Sequence, residues 1–523
     1  MTFNSQSIIH DIRKELDKLI NFVSGEQAQT ATADHIERTL FREMLKLGAK
    51  LLLLFFVIRS QKCSREPMQM EDGQELPYHS EKKRDYLSIF GKIPFWRPYF
   101  YEKGSQGHSP LDAELSLGAD RYSDFLREMT EYLGVYVAYN KAADIEDRFL
   151  GIDLSTRVLQ KMIGEDTVDA KAFYAQKPPP LPSTEANTLV IQADGKGVPM
   201  VLETPAEPTV RLGKGQKRGC KKEAIVTTVY TVGCAPRTPE QVVASYFNQN
   251  QHPAPETAPS KRVKPQNKHI WATLDGKDIA LDRLAKQVDP RRGSHILHKV
   301  ALCDGCEALQ TRIEARFPDF NLILDFVHAN EYLWKVANSL LGETSEQRTE
   351  WVADRTLRML SGETEYIITE FRSRAQEKSC TAAQREKLTK TANYFERNLP
   401  HMDYPTYLRK GWPIASGVIE GACRHFVKDR FELSGMRWSQ DGAENLLHLR
   451  AVAENDDWDE YHDFRKRRRH ARLYELPFPE QCYLEDQALD LESLSNSPPG
   501  SDYEPLPVMA TVNSISCQIP LAA

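Results

Sequence analysis

A chain of 523 residues is long enough for roughly three or four domains with at least one sizeable core, which excludes a small scaffold held together by disulfides. Its nine cysteines are scattered and odd in number, and no signal-peptide pattern opens the chain, so a protein of the reducing cytosol is expected. The net charge of −6 hides an asymmetry: residues 475–523 hold eight acids and no Lys or Arg, which leaves +2 on residues 1–474.

Residues 1–107 read as a helical start followed by a small β element. Helical periodicity runs through residues 35–60, and the aromatic-rich stretch Tyr86 to Tyr101 is interrupted by Pro94 and Pro98. The apolar run Leu51 to Ile58 is too short to cross a bilayer, lies between Lys50 and Arg59, and reads as a buried helix. Residues 108–175 read as helical, with a turn at Gly151 and Ser155 capping a helix that carries Arg157 and Lys161. That pattern fits a DNA-binding helix-turn-helix and also fits two ordinary packed helices.

Four prolines within 176–187 (Pro178, Pro179, Pro180 and Pro182) mark a semi-rigid linker, and the main domain boundary is placed there. A buried-strand pattern then ends on Asp194. Glu223 to Val232 reads as its paired strand, and 248–268 as a surface insertion. A second apolar strand, Ile296 to Cys303, runs into Asp304-Gly305, and after a helix from Glu307 a third strand ends on Asp325. Residues 329–410 are helical throughout, with Trp334, Leu340, Trp351, Leu357 and Leu360 as expected core positions. In 411–474, Ser416 is expected to cap a helix carrying Glu420, Arg424 and Lys428, and a basic helix closes the segment. The acidic tail 475–523 reads as disordered.

Three apolar strands that each end on an aspartate have a chemical meaning. Mg²⁺ and Mn²⁺ take oxygen ligands and are held by one or two carboxylates each, with water and phosphate in the remaining positions. Acids from separate strands and a helix, converging at one sheet edge, can build a two-ion site for in-line phosphodiester chemistry. Asp also starts turns and caps helices, and helical Glu is mostly solvated, so pattern alone leaves both readings open. Cys303 and Cys306 flank Asp304 at Cys-x-x-Cys spacing without a second pair, and read as small buried residues rather than zinc ligands.

The segments Val190-Ile-Gln-Ala-Asp-Gly-Lys-Gly197, Leu302-Cys-Asp-Gly305, Leu322-Ile-Leu-Asp-Phe-Val-His-Ala-Asn-Glu-Tyr-Leu-Trp334 and Trp412-Pro-Ile-Ala-Ser-Gly-Val-Ile-Glu-Gly-Ala-Cys-Arg-His425 resemble the ISKra family of insertion-sequence transposases. Leu433-Ser-Gly-Met-Arg-Trp438 and Ala451-Val-Ala-Glu-Asn455 extend the resemblance, which covers roughly residues 188–470. It implies an α/β fold: a ribonuclease-H-like mixed sheet flanked by helices, with an all-helical insertion, preceded by a mainly helical N-terminal DNA-binding region. It also implies a DDE-type transposase, related to Mutator-like transposases. Two Mg²⁺ (or Mn²⁺) ions would be held by Asp194, Asp304 and Glu420.

Two acids compete for the middle position. In Mutator-like relatives the second catalytic acid precedes a glycine, as Asp304 does, and a Cys or Asp stands further on, followed shortly by a His, as Asp325 is by His328. Asp304 is taken as the ligand, with Asp325 and His328 as a supporting pair or as the alternative second acid. Many relatives carry a cysteine-bearing zinc element near the N-terminus. Here Phe90 to Gly107 has no cysteine, so none is expected.

DNA contacts are expected from the basic loop 211–222, including Lys214, Lys217 and Arg218, from Arg424 and Lys428 beside Glu420, and from Arg437 next to Trp438. The run Arg465-Lys-Arg-Arg-Arg469 with Arg472 is expected to touch phosphates nonspecifically. The resemblance implies partners and location as well: terminal inverted repeats and target DNA, a homo-oligomer of at least two copies, no membrane, and a bacterial, nucleoid-associated cytoplasmic site. The expected reaction is hydrolysis at element ends followed by transfer of the 3′-hydroxyl into target DNA. A non-catalytic transposon-derived DNA-binding protein and a structure-selective nuclease are the alternatives.

Overall fold

A computed structural model describes residues 4–70, 75–201, 220–247, 264–433 and 435–479. Lys214, Lys217 and Arg218 of the basic loop, most of the insertion 248–268 and nearly all of the acidic tail lie outside the described residues.

Two long helices, α1 (Ser5–Ser24) and α2 (Ala33–Lys62), form the N-terminal hairpin. The side chain of Asn4 accepts from the amide of Gln6 at the start of α1, and Thr32 from that of His35 at the start of α2. The run 51–58 departs from the expected buried helix. Phe56 and Val57 are buried, while Leu51 and Phe55 are exposed, because only one face of α2 meets the ribbon that follows. That ribbon pairs β1 (Tyr78–Ser88) with β2 (Gly91–Phe100), and Phe95 stacks on Phe56 with ring centroids 4.3 Å apart. Pro94 and Pro98 do not interrupt β2: they stand four residues apart on one side of a two-stranded ribbon, where no partner needs their missing N–H.

Helices α3 (Asp124–Tyr136), α4 (Tyr139–Leu150), α5 (Thr156–Asp166) and α6 (Ala170–Gln176) follow. Gly151 ends α4 in the left-handed region at φ 68°, and the Ser155 side chain accepts from the amide of Val158 to start α5. Leu126, Ala142, Ile152, Leu154 and Leu159 close a small core among the first three of these helices, and Arg157 and Lys161 face outward.

The central sheet has five strands: β3 (Thr188–Met200), β4 (Cys220–Val232), β5 (Gln266–Thr273), β6 (His298–Cys303) and β7 (Asn321–Leu324), in the order β5-β4-β3-β6-β7. The first three form an antiparallel meander, and β6 and β7 run parallel to β3. Helices α7 (Lys277–Val288) and α8 (Glu307–Arg316) supply the crossovers. The fold is thus mixed α/β. Two boundaries differ from expectation. β3 continues past Asp194 to Met200, because the antiparallel ladder with β4 outlasts the parallel one with β6, and Gln266 to Lys268, expected in a surface insertion, open β5.

One face of the sheet buries Val190, Val300, Leu302 and Ile323 against α9 (Phe326–Leu341), α10 (Gln347–Leu360), α11 (Thr364–Ala375) and α12 (Ala382–Asn398). The core of these helices is Leu333, Val336, Val352, Met359 and Leu360. Trp334, Leu340, Trp351 and Leu357 are only partly buried, so of the five expected core positions Leu360 alone is fully inside. The other face buries Ile191, Ala193 and Ala301 against α7 and α8.

The chain closes with α13 (Gly417–Gly421), a π-helical stretch Ala422–Lys428 that continues it, α14 (Gln440–Glu454) and α15 (Trp458–Tyr474). The Pro-rich run 176–187 does not divide the chain into separate bodies. Phe173 and Tyr174 before it share a core with Trp271 of β5 and Leu446 of α14 after it.

Part of the basic run 465–472, expected to contact phosphates, is engaged inside the protein instead, while Arg467 and Arg468 are exposed. Arg465 is buried and pairs with Asp166 at 2.9 Å, Arg469 pairs with Asp124, and Arg472 reaches Asp169 at 2.8 Å. Arg127 of α3 joins the same cluster through Asp166 at 3.1 Å, so a buried ion-pair network ties α15 to α3 and α5.

Glu146 of α4 is buried against α3, where the Thr130 hydroxyl donates to it, and burial pushes its carboxyl up to about 7 from an ordinary 4.5. The folded protein therefore binds this proton at a pH where the unfolded chain has released it, and stability falls as pH rises from about 4.5 to about 7. Replacing the acid by an uncharged amide removes up to about 3 kcal/mol of that loss. Thermal denaturation of Glu146→Gln against wild type is expected to show a higher melting temperature for the variant at pH 8 and a gap that closes near pH 4.5.

Candidate active site

The parallel ladders decide where the acids sit. Gln192 pairs with Leu302 and Cys303 with Leu324, and the same offsets carried to the strand ends set Asp194 level with Asp304 and Asp304 level with Asp325. Successive side chains alternate between faces, so all three fall on the face that carries Val190, Leu302 and Ile323, the one covered by the helices after β7.

Their surroundings differ. Asp325 is completely buried and caps α9. One oxygen accepts from the amides of Ser416 at 2.9 Å and Val327 at 3.3 Å, the other from the amide of His328 at 3.1 Å and its Nδ1 at 2.5 Å. Four donors leave this carboxylate no lone pair directed at anything else. The hydrogen bond to Asp325 also pushes the His328 imidazole up to about 9, so it stands as a cation at neutral pH.

Asp194 is half-buried. Its Oδ1 accepts from the amide of Gly195 at 2.7 Å and its Oδ2 from the thiol of Cys423 at 3.2 Å. Burial holds its carboxyl above the usual range against the pull of those two donors, and the charge of Asp304 adds to the rise. The Cys423 thiol is itself pushed up by burial and by Asp194, so it remains a protonated donor. Asp304 accepts from the amide of Cys306 at 3.1 Å and stands beside the Cys303 thiol at 3.6 Å. Gly305 is required next to it, because a Cβ there would lie 2.2 Å from the ring of Tyr394 on α12. Cys303 is buried and Cys306 begins α8.

Glu420 reaches the site from α13. Ser416 does not cap that helix as expected: its hydroxyl donates to Glu420 Oε1 at 2.8 Å while its amide holds Asp325. The π-helical turn then changes the count. With i→i+5 bonding from Ala422 to Lys428, a spacing of four no longer restores one face, so Arg424 and Lys428 do not simply line up behind Glu420. The wide turn is held by buried Arg450 of α14, which donates to the carbonyls of Phe426 and His425 at 2.8 Å each. It brings Cys423 onto Asp194.

The structure brings together, with ligand atoms within 4.8 Å of one another, Asp325, His328 and Glu420. Asp194, Asp304 and Glu420 are not so tightly grouped, although Asp194 feels the charges of Asp304 and His328. Among the described residues no Lys or Arg lies within 4.0 Å of a carboxylate oxygen of Asp194, Asp304 or Glu420; the nearest opposite charge to Glu420 is His328 Nδ1 at 3.9 Å. Carboxylates that share one side of a sheet edge without a Lys or Arg partner suit a divalent cation.

Arg424, Lys428 and Arg437 are exposed, and no carboxylate of the described residues pairs with them. Trp438 is corrected from a stacking residue to a core one. It is buried, its indole donates to the carbonyl of Phe431 at 3.1 Å, and its backbone bridges Met200 at the end of β3. Asn455, at the end of the last matched motif, accepts from the amide of Ile270 at 2.8 Å and so satisfies the edge of β5. Local pattern does not mark Ser416 and Cys423 as site residues. Both lie inside the matched segment 412–425, but their partners Asp325 and Asp194 are distant in sequence.

Neither family models nor curated proteins match this chain.

The contrast between the acids is testable by stability alone. Asp325→Ala strands several buried donors and should lose about 3 kcal/mol in chemical denaturation. Asp194→Asn removes a carboxylate whose raised proton affinity makes folding less favourable as pH climbs, and so should melt at or above the wild-type temperature at pH 7. Equal losses in both variants would mean that the two acids share one structural role.

Proposed function

We propose that the protein is a DDE-type DNA transposase in which Asp194, Asp304 and Glu420 hold two Mg²⁺ or Mn²⁺ ions. The observation that carries this reading is the levelling of Asp194 and Asp304 on adjacent parallel strands, facing a helix that brings in Glu420, with no Lys or Arg among the described residues neutralising them and His328 as the nearest positive charge to Glu420. The five-stranded mixed sheet, an antiparallel meander followed by two parallel strands, supports a ribonuclease-H-like core. The sequence resemblance to ISKra transposases supports the reaction class.

Bound there, the ions would activate the attacking water or 3′-hydroxyl and stabilise the leaving oxygen. The chain's own role is positional. Cys423 and the Gly195 amide orient Asp194, the Cys306 amide orients Asp304, and Ser416 orients Glu420. Asp325 is assigned to holding α9 and His328 rather than to a metal, since its oxygens are already fully engaged. His328 sits between Asp325 and Glu420, where its ring can donate toward a phosphate. Exposed Arg424, Lys428 and Arg437 are proposed to hold the DNA backbone near the cut, together with the basic loop around Lys214, Lys217 and Arg218. The helix pair α4–α5, with Arg157 and Lys161 outward, is proposed to read the element ends.

Asp194→Asn, Asp304→Asn and Glu420→Gln are each expected to abolish Mg²⁺-dependent cleavage of element-end DNA while DNA binding persists. Retained cleavage by Asp304→Asn would transfer the ligand role to Asp325. Cleavage without joining in a strand-transfer assay would turn the reading to a structure-selective nuclease, and DNA binding with no cleavage by wild type to a non-catalytic binding protein.

Ser416→Ala leaves the Asp325 amide contact intact but frees Glu420. It should lower the cleavage rate roughly tenfold, the loss of about one hydrogen bond to a charged group. Higher Mg²⁺ should partly restore the rate, which a purely structural role for Ser416 would not allow.

A further inference from the structure

The N-terminal hairpin leaves an apolar face uncovered. On α1, Ile8 is buried and Ile12 and Leu19 are partly buried, while Leu16, Ile20 and Val23, at i, i+4 and i+7, form a second stripe in solvent. On α2, the face around Leu52, Leu53 and Phe56 meets the β1–β2 ribbon. Phe41, Met44, Leu51 and Phe55 make a separate stripe, about 80° wide at 100° per residue, that the ribbon leaves open. Each of these seven side chains is between 44% and 53% exposed.

Measured from Glu15 and Lys50, which pair across the hairpin at 3.1 Å, both stripes are rotated by roughly a third of a turn in the same sense at 100° per residue, and in an antiparallel pair like rotations of that sense open to one side of the hairpin. A groove of about 740 Å³, lined by Ile36, Leu40, Phe41 and Met44 among others, indents the same face.

We propose that this face is a dimer interface, on which the hairpin of a second copy of the chain packs to form a four-helix bundle. The area is what a dimer needs. The seven side chains leave on the order of 600 Å² of apolar surface in water, at the upper end of what a soluble monomer exposes in one patch. Two copies pairing through it remove roughly 1,200 Å², where stable specific interfaces begin.

The charge pattern points the same way. Along α1 the acids Asp11, Glu15 and Asp17 are balanced by Arg13, Lys14 and Lys18, which favours neither a strongly charged partner nor an anionic lipid surface, and lets a copy meet itself without repulsion. An interface of this kind, at the end of the chain opposite α13, would pair two copies without using any residue of the acidic site.

The test is the mass of the full chain in solution by sedimentation equilibrium at micromolar concentration, for wild type, for Met44→Glu/Leu51→Glu, and for Phe149→Glu, an exposed aromatic on α4 outside the face. Wild type and Phe149→Glu are expected to be dimers. The double variant, whose sites are already in water in the monomer, is expected to be a folded monomer by circular dichroism, with a dissociation constant raised at least 100-fold. A monomeric wild type, or a double variant that still dimerises, overturns the proposal. So does a monomer whose α1 and α2 stripes are protected from hydrogen exchange, since a segment of the same chain would then occupy the face. Because mass rather than cleavage is read, the result is independent of the transposase assignment.

Discussion

The site rests on the register of two parallel strand pairs. Because β3, β6 and β7 run the same way and pair without a slip at the offsets that join Gln192 to Leu302 and Cys303 to Leu324, three aspartates far apart in sequence arrive at one level on one face. A one-residue slip in either ladder would send an acid to the opposite face, into the core formed with α7 and α8. The antiparallel meander on the other side of β3 anchors that strand beyond Asp194, so the acid lies on a continuous strand rather than on a frayed end.

Given the level, chemistry separates the acids. Asp325 has spent its oxygens on the start of α9, on the amide of Ser416 and on His328, and it organises its neighbours. Asp194 keeps a raised proton affinity because burial and Asp304 outweigh its thiol and amide donors. A carboxylate that four donors satisfy is structural; one that burial and a second acid leave poorly compensated still has room for a further positive partner. Ser416 links the two kinds, with its amide on Asp325 and its hydroxyl on Glu420.

Basic residues divide in the same way. Arg465, Arg469 and Arg472 look like a nucleic-acid patch in sequence, yet they lie over Asp166, Asp124 and Asp169 and fasten the C-terminal helix to the helices before the sheet. Arg450, which no pattern singles out, holds open the π-helical turn that carries Cys423 to Asp194. Arg424, Lys428 and Arg437 instead stay in solvent, and no carboxylate among the described residues pairs with them.

By itself the sequence determined the order of most elements, four of the five strands of the central sheet in outline, the turn at Gly151, the cap at Ser155 and the aspartates at or near the ends of the parallel pairing. These follow from periodicities and turn chemistry that act over a few residues. Only the tertiary structure decided that Phe173 and Tyr174 share a core with Trp271 across the proline run, that Trp438 is interior, that Leu51 and Phe55 stay in water, and that Asp325 is saturated where Asp194 is not. Each depends on partners brought close from distant regions of the chain. Local pattern says that a residue will face inward or bear charge, but which group meets it is decided by packing.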